Sequence, residues 1–288
     1  MFKIAILGCD NSHGQAFSKI FTEEYPDVEI VGIYGVDEPS VTAKLAETYG
    51  LYVAKSYDEF VGKVDGIMIT SRIGPTHYEY AKPYIKSGIP MFIDKPVSWE
   101  EEEAVEFMKE LRDNGVRIMG GSSIPYNEAI IELKEIVSKL PKEEVYGGYF
   151  RSPANLIDKY GNYFFYAAHL TQSAAEIFGT EPDSVFATAT GNMVSVMMRY
   201  DGAVVTLENV DNNYYYYASV STKGGVIARQ LTKFTGSNTE AHHFYELLSG
   251  KEQTVSYRDF IKPVFTMTAI DRSLKSKKEE KVREVPEI

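Results

Sequence analysis

Short apolar runs alternate with stretches of helical period over the first 120 or so residues. Residues 3–7, 28–34, 67–70, 90–93 and 117–120 read as strands apolar on both sides, the pattern of a parallel sheet covered on both faces. Between them, residues 12–24, 40–49, 76–87 and 99–114 read as helices; Gly50 stands where a left-handed cap would sit, and Gly88 and Gly115 stop the later two. Strand and helix in strict alternation predict βαβ units with right-handed crossovers.

After Gly120-Gly121 the rhythm changes. Residues 128–140 and 163–178 read as helices, the second ended by Gly179, and 144–151, 184–190, 195–200, 204–210 and 214–221 as strands. Asp201-Gly202 is a hairpin signal, and a helix covers much of 258–276. The expected architecture is α/β: residues 1–121 form a Rossmann dinucleotide-binding domain on a doubly wound parallel sheet. Residues 122–288 form an α+β domain with a largely antiparallel open sheet for substrate binding and oligomerisation.

Composition narrows the function. A length of 288 residues suits two domains, and the apolar fraction of 44% is that of a folded protein. The net charge of −11 argues against nucleic acid as a partner, since that needs concentrated Lys and Arg. Cys9 is the only cysteine, which excludes an internal disulfide and a cysteine-based zinc site. His242 and His243 are adjacent and point to different sides of a helix, so no metal is expected. The start has too short an apolar run for a secretory signal, and no run reaches the roughly 20 residues of a membrane helix. The expected setting is cytoplasmic, without membrane association.

Candidate chemistry begins at the turn Gly8-Cys9-Asp10-Asn11-Ser12-His13-Gly14. A dinucleotide loop wants glycine at the turn, at the pyrophosphate and at the helix–strand contact. Here Asp10 and His13 occupy the second and third places, and Gly14 comes one step late. Asp10 or Ser12 is expected to cap the helix, whose N-terminus still favours an anion. Read alone, the loop fits either a dinucleotide site or an ordinary capped turn. Asp37, beyond the second strand, is a candidate ribose ligand or a plain turn residue. Asp94-Lys95-Pro96 closes the fourth strand, where ligands of open α/β sheets bind.

In order, Asp65-Gly66-Ile67-Met68-Ile69-Thr70, then His77, then Gly88-Ile89-Pro90-Met91-Phe92-Ile93-Asp94-Lys95-Pro96 resemble the Gfo/Idh/MocA superfamily of glucose–fructose oxidoreductase, inositol dehydrogenase and their relatives. Its hallmark is Glu-Lys-Pro at this strand end, after a Thr-Pro-Asn-like turn and a histidine. Asp94 stands for the Glu here, and Ser71-Arg72-Ile73-Gly74 for the turn. The resemblance continues through the crossover at 120–124, the helix at 167–179 and the helix end at 244–254, nearly the whole chain.

The resemblance implies hydride transfer between NAD or NADP and a hydroxyl of a sugar, polyol or related small molecule. Gly8, Cys9, Asp10, Asn11, Ser12 and His13 would line the pyrophosphate, and Asp37 would face the ribose. Thr70, Ser71 and Arg72, with His77 and Asp94, would lie near the nicotinamide. Lys95 would work as proton relay, with the ring's positive charge disfavouring its ammonium form. His169 matches the histidine of the family's Asp-x-x-x-His helix, but Phe165 stands at the aspartate position. Tyr126, Tyr166 and Gln172, with His169, would face substrate, and Asn127 is within reach of the same pocket. Family members pair through the second-domain sheet, so a homo-oligomer is expected, with the tyrosines at 214–217 in sheet packing or at the interface. A non-catalytic sugar- or nucleotide-binding regulatory protein is the alternative, and a lyase or hydrolase using the nucleotide transiently a third.

Overall fold

A computed structural model describes residues 1–156, 159–161 and 163–288. The chain packs as two units: Met1–Gly121 with Ser237–Phe260 and Ile288, and Ser122–Gly236 with Ile261–Glu287.

In the first unit the elements run β1 (Phe2–Leu7), α1 (Ser12–Glu24), β2 (Val28–Tyr34), α2 (Pro39–Tyr49), β3 (Gly66–Ile69), α3 (Gly74–Ile85), β4 (Met91–Asp94), α4 (Glu101–Asp113) and β5 (Ile118–Gly121). All four strand pairs are parallel, in the order β2-β1-β3-β4-β5. Val53 adds a single parallel bridge to Ile33 on β2. Counted as a vestigial strand, it completes the doubly wound order whose topological switch point lies between β1 and β3. Every residue of β3 and β4 is buried, because helices cover both faces.

Two glycines tie β1 to its surroundings. Gly8 has φ +72, and a Cβ there would sit 2.6 Å from the Ser71 backbone. A Cβ on Gly14 would lie 2.2 Å from the Cys9 carbonyl oxygen, so this late glycine serves the close helix–strand approach.

The second unit holds α5 (Glu128–Ser138), β6 (Val145–Ala154), α6 (Tyr163–Phe178), β7 (Ser184–Thr190), β8 (Met193–Tyr200), β9 (Ala203–Asp211), β10 (Tyr216–Thr222) and β11 (Gly225–Leu231). Next come α7 (Gly236–Leu248), α8 (Tyr257–Ser276) and β12 (Glu280–Lys281). The seven-stranded sheet has the order β11-β10-β6-β9-β8-β7-β12. Only β6 and β9 run parallel; the other pairs are antiparallel, including the β8–β9 hairpin at Asp201-Gly202. The expected α/β class and largely antiparallel second sheet are therefore observed.

Ser237–Phe260 departs from the sequence reading, which placed it in the second domain. The reason is apolar: Ala241, Phe244, Leu247 and Leu248 lie in one core with Phe17, Phe21, Met68 and Phe92. The edge strand β11 was not anticipated, since all its residues but Leu231 are exposed or half-buried and carry little alternation. Tyr214 and Tyr215 precede β10 and are exposed. Among the described residues no helix is long and apolar enough to cross a membrane.

Candidate active site

The carboxyl end of the parallel sheet is cross-tied at the switch point. The Gly8 and Cys9 N–H groups both donate to the Tyr34 carbonyl, at 2.7 and 3.0 Å. Asn11 caps α1, its Oδ1 accepting from His13 N at 2.9 Å and Gly14 N at 3.0 Å. Its Nδ2 donates to the carbonyls of Gly8 at 2.8 Å and Thr70 at 2.6 Å, joining the loop to the end of β3. Thr70 Oγ1 donates to the Gly8 carbonyl at 3.0 Å.

The expected cap is thereby corrected. Asn11, not Asp10 or Ser12, stands at the N-cap, because an amide both accepts from the helix and donates to two strand ends. The Asp10 carboxylate is buried and turned aside, accepting from Glu38 N at 2.7 Å in the β2–α2 turn. Asp37 lies partly exposed in that same turn. Burial pushes the Cys9 thiol up to about 12, which leaves it inert at neutral pH.

Beyond β4 the ionisable groups converge. His13 Nδ1 pairs with Asp94 Oδ2 at 2.8 Å, and Asp94 Oδ1 accepts from Lys95 N at 2.7 Å. Asp94 and Lys95 are both buried, and the Lys95–Pro96 peptide is cis. Burial raises the Asp94 carboxyl, but the charge and hydrogen bond of His13, with Lys95 and His77, bring it below the usual carboxylate range. Burial likewise depresses the His13 imidazolium, and Asp94, helped by Glu240, more than reverses it, so its pKa lies above the usual value. The third glycine position thus holds an imidazole whose protonated form is favoured, at a helix N-terminus where an anion is also favoured.

His77 belongs to the scaffold around this cluster. Its ring is fully buried, with burial holding its pKa down, and Nε2 donates to the Ser71 carbonyl at 2.8 Å. Ser71 Oγ in turn accepts from Thr76 Oγ1 at 2.7 Å and Ile73 N at 3.2 Å, fixing the turn that precedes α3. Arg72 in this turn is partly exposed. The sequence reading missed Glu240, which is buried in the first unit. Its signal was a carboxyl one helical turn before Phe244, on an otherwise apolar face.

In the second unit, Ser122 directly follows β5 and organises α6. Ser122 Oγ shares a 2.7 Å hydrogen bond with His169 Nδ1, and Ser122 N donates to Gln172 Oε1. Ser122 was also missed, and its place just after the crossover glycines was the only hint. Ser173 Oγ donates to the His169 carbonyl at 2.7 Å. The Tyr166 ring meets His169 edge-on at 6.2 Å and Phe165 at 5.0 Å, so an aromatic cluster occupies the turn preceding the histidine. Tyr126 ends a short 3₁₀ turn and is partly exposed. Asn127 is spent on structure: it caps α5 through Ala129 N and donates to the Thr232 carbonyl at 2.9 Å. The structure thus groups Gly8–His13, Thr70, Ser71, His77, Asp94 and Lys95 in the first unit, and Tyr126, Tyr166, His169 and Gln172 in the second.

Comparison with known proteins bears on the fold. Residues 2–122 match the family described as "Oxidoreductase family, NAD-binding Rossmann fold", GFO_IDH_MocA. Inositol 2-dehydrogenase 3 of Saccharopolyspora erythraea is 28% identical over 127 residues, 43% of this chain and 37% of that protein. The aligned stretch therefore spans little more than a third of that relative. Among solved structures, a putative myo-inositol dehydrogenase from Sinorhizobium meliloti 1021 superposes with a TM-score of 0.83 at 18% identity, covering 98% of this chain and 100% of that one. The scyllo-inositol dehydrogenase of Lactobacillus casei with bound cofactor NAD(H) and scyllo-inositol gives 0.84 at 14% identity, over 98% and 99% of the two chains. At such identities the structural likeness is one of fold.

Proposed function

We propose that the chain belongs to the Gfo/Idh/MocA oxidoreductase family, whose model matches residues 2–122, and that it is an NAD(P)-dependent dehydrogenase acting on a hydroxyl of a sugar, polyol or related small molecule. One observation carries this reading. The Asp94–Lys95 strand end is buried in the same unit as a glycine turn and helix N-terminus at the switch point of a doubly wound sheet.

The residues present fit a dinucleotide. The Gly8 turn leaves no room for a Cβ, and α1 directs its positive end at the loop. Asn11 already occupies two helix N–H groups, so His13 would take over part of the pyrophosphate's charge compensation. When bound, the nicotinamide supplies the hydride acceptor or donor. Thr70, Ser71 and Arg72 would flank it, braced by His77. Lys95 would hold or pass the proton of the reacting hydroxyl. His169, fixed by Ser122, would act on the substrate side with Tyr126, Tyr166 and Gln172.

Asp10, Asp37 and Glu38 crowd the β2–α2 turn with acids, which favours NAD over a cofactor bearing a 2′-phosphate. The scyllo-inositol bound in a structural neighbour supports a cyclic polyol as substrate. A homo-oligomer through the second-unit sheet is part of the same reading. One face of that sheet carries the Tyr149 and Tyr217 rings, 6.1 Å apart, with Phe186 and the Arg151–Glu208 ion pair.

Fluorescence titration with NADH and NADPH tests the proposal. NADH is expected to bind more tightly, and a panel of inositols and sugars is then screened for reduction of NAD. Failure of both dinucleotides to bind at millimolar concentration would overturn the dehydrogenase reading. A sugar that stabilises the protein without any dinucleotide effect would establish the regulatory alternative.

A further inference from the structure

Glu240 is a buried acid for which the dehydrogenase reading has no use. Both of its side-chain oxygens are inaccessible, and neither has a hydrogen-bond partner among the described residues. Leaving a carboxyl in that state is costly.

Its position is set by α7. Glu240, Ala241, Phe244, Leu247 and Leu248 share one helical face, and the last four lie in the first unit's core. On α1, His13, Phe17 and Phe21 stand one helical turn apart on one face. Phe21 meets Phe244 at 6.2 Å between ring centroids, and Phe17 meets Phe92 at 4.8 Å and His13 at 5.9 Å. Phe92 and Asp94 alternate onto the same side of β4. Thus α1, α7 and β4 share this part of the core, and the charged groups acting on Glu240 are His13 from α1 with Asp94 and Lys95 from the end of β4.

We propose that Glu240 is a positioning residue for the Asp94–His13 pair and Lys95: a buried carboxyl whose one proton decides the charge this cluster carries. With Glu240 neutral, Asp94 is the one carboxylate set against His13 and Lys95. Loss of that proton to solvent adds one negative charge and strengthens the hold on His13 and Lys95. Burial, the largest influence, pushes the Glu240 carboxyl up to about 8, opposed by His13 and Lys95 and reinforced by Asp94, so the change falls just above neutrality. The dehydrogenase reading enters only in the consequence: the proton on Glu240 sets how strongly His13 and Lys95 are held in place at the strand end.

The test uses the ligand-free full chain, so it stands apart from whether a dinucleotide binds. Ring-nitrogen NMR shifts of His13 are followed from pH 5 to 10 in the wild type, Glu240→Gln and Glu240→Asp. The wild type is expected to show a second inflection near pH 8, which Glu240→Gln abolishes and Glu240→Asp restores. Superposable curves for wild type and Glu240→Gln would overturn the proposal. Carboxyl ¹³C shifts of wild-type protein labelled at glutamate keep it falsifiable even if a variant does not fold. One glutamate is expected to titrate above pH 7, and the absence of any such signal also ends it.

Discussion

The two constellations hold their central groups by different means. In the first unit, Lys95 and Asp94 are buried among full charges, with His13 paired to Asp94 at 2.8 Å and Glu240 beside them. In the second, His169 is oriented by a neutral hydroxyl, Ser122, and an aromatic residue stands one turn before it. Charge-assisted contacts in low dielectric are strong, whereas a hydrogen bond to a neutral hydroxyl is modest. The dehydrogenase reading proposed above accordingly puts the proton relay at the sheet end, on Lys95, with His169 on the substrate side.

The sharpest way to break that contrast is Lys95→Ala. Turnover of any polyol that the wild type oxidises is expected to fall roughly 10²- to 10⁴-fold, while NADH affinity stays within about threefold. Steady-state rates beside a binding titration give both numbers, and an enzyme with unchanged turnover would move the chemistry elsewhere.

Asp94→Asn comes next. Asp94 has a lowered pKa, so its contribution to stability is present above the ordinary carboxylate value and is lost as pH falls through the folded one. His13 has a raised pKa, so its contribution is full below the ordinary imidazole value and is lost as pH rises through the folded one. The variant should cost about 1–3 kcal/mol near pH 6, with the difference from wild type shrinking toward both acid and alkali. Urea unfolding across pH measures this. A penalty that does not change with pH would mean the pair is not ionic.

Ser122→Ala should be mildest, costing about 1 kcal/mol in stability and raising the polyol KM a few-fold with little change in the pH profile. If it proves as damaging as Lys95→Ala, the contrast between a charged and a neutral half collapses.

Periodicity alone located most elements, because each depends on short-range facts. Doubly buried strands must be apolar throughout, and a helix end in the left-handed region selects glycine, as at Gly50 with φ +66. The strand-end position of Asp94-Lys95 followed from the same pattern. Elements whose residues bury little left weaker marks, which is why β11 passed unnoticed.

The amino-acid order by itself determined the alternation of strand and helix, the change of architecture after Gly121 and the candidacy of Lys95 and His169. Only the tertiary structure decided that Asn11 caps α1, that Asp10 turns to Glu38, and that His13 and Asp94, 81 positions apart, form a pair. It also decided that Ser237–Phe260 rejoins the first core and carries Glu240 there. The physical reason is range: hydrophobic period and turn chemistry act over one or two helical turns. The partner of a buried charge is chosen by whichever distant segment fills the space beside it.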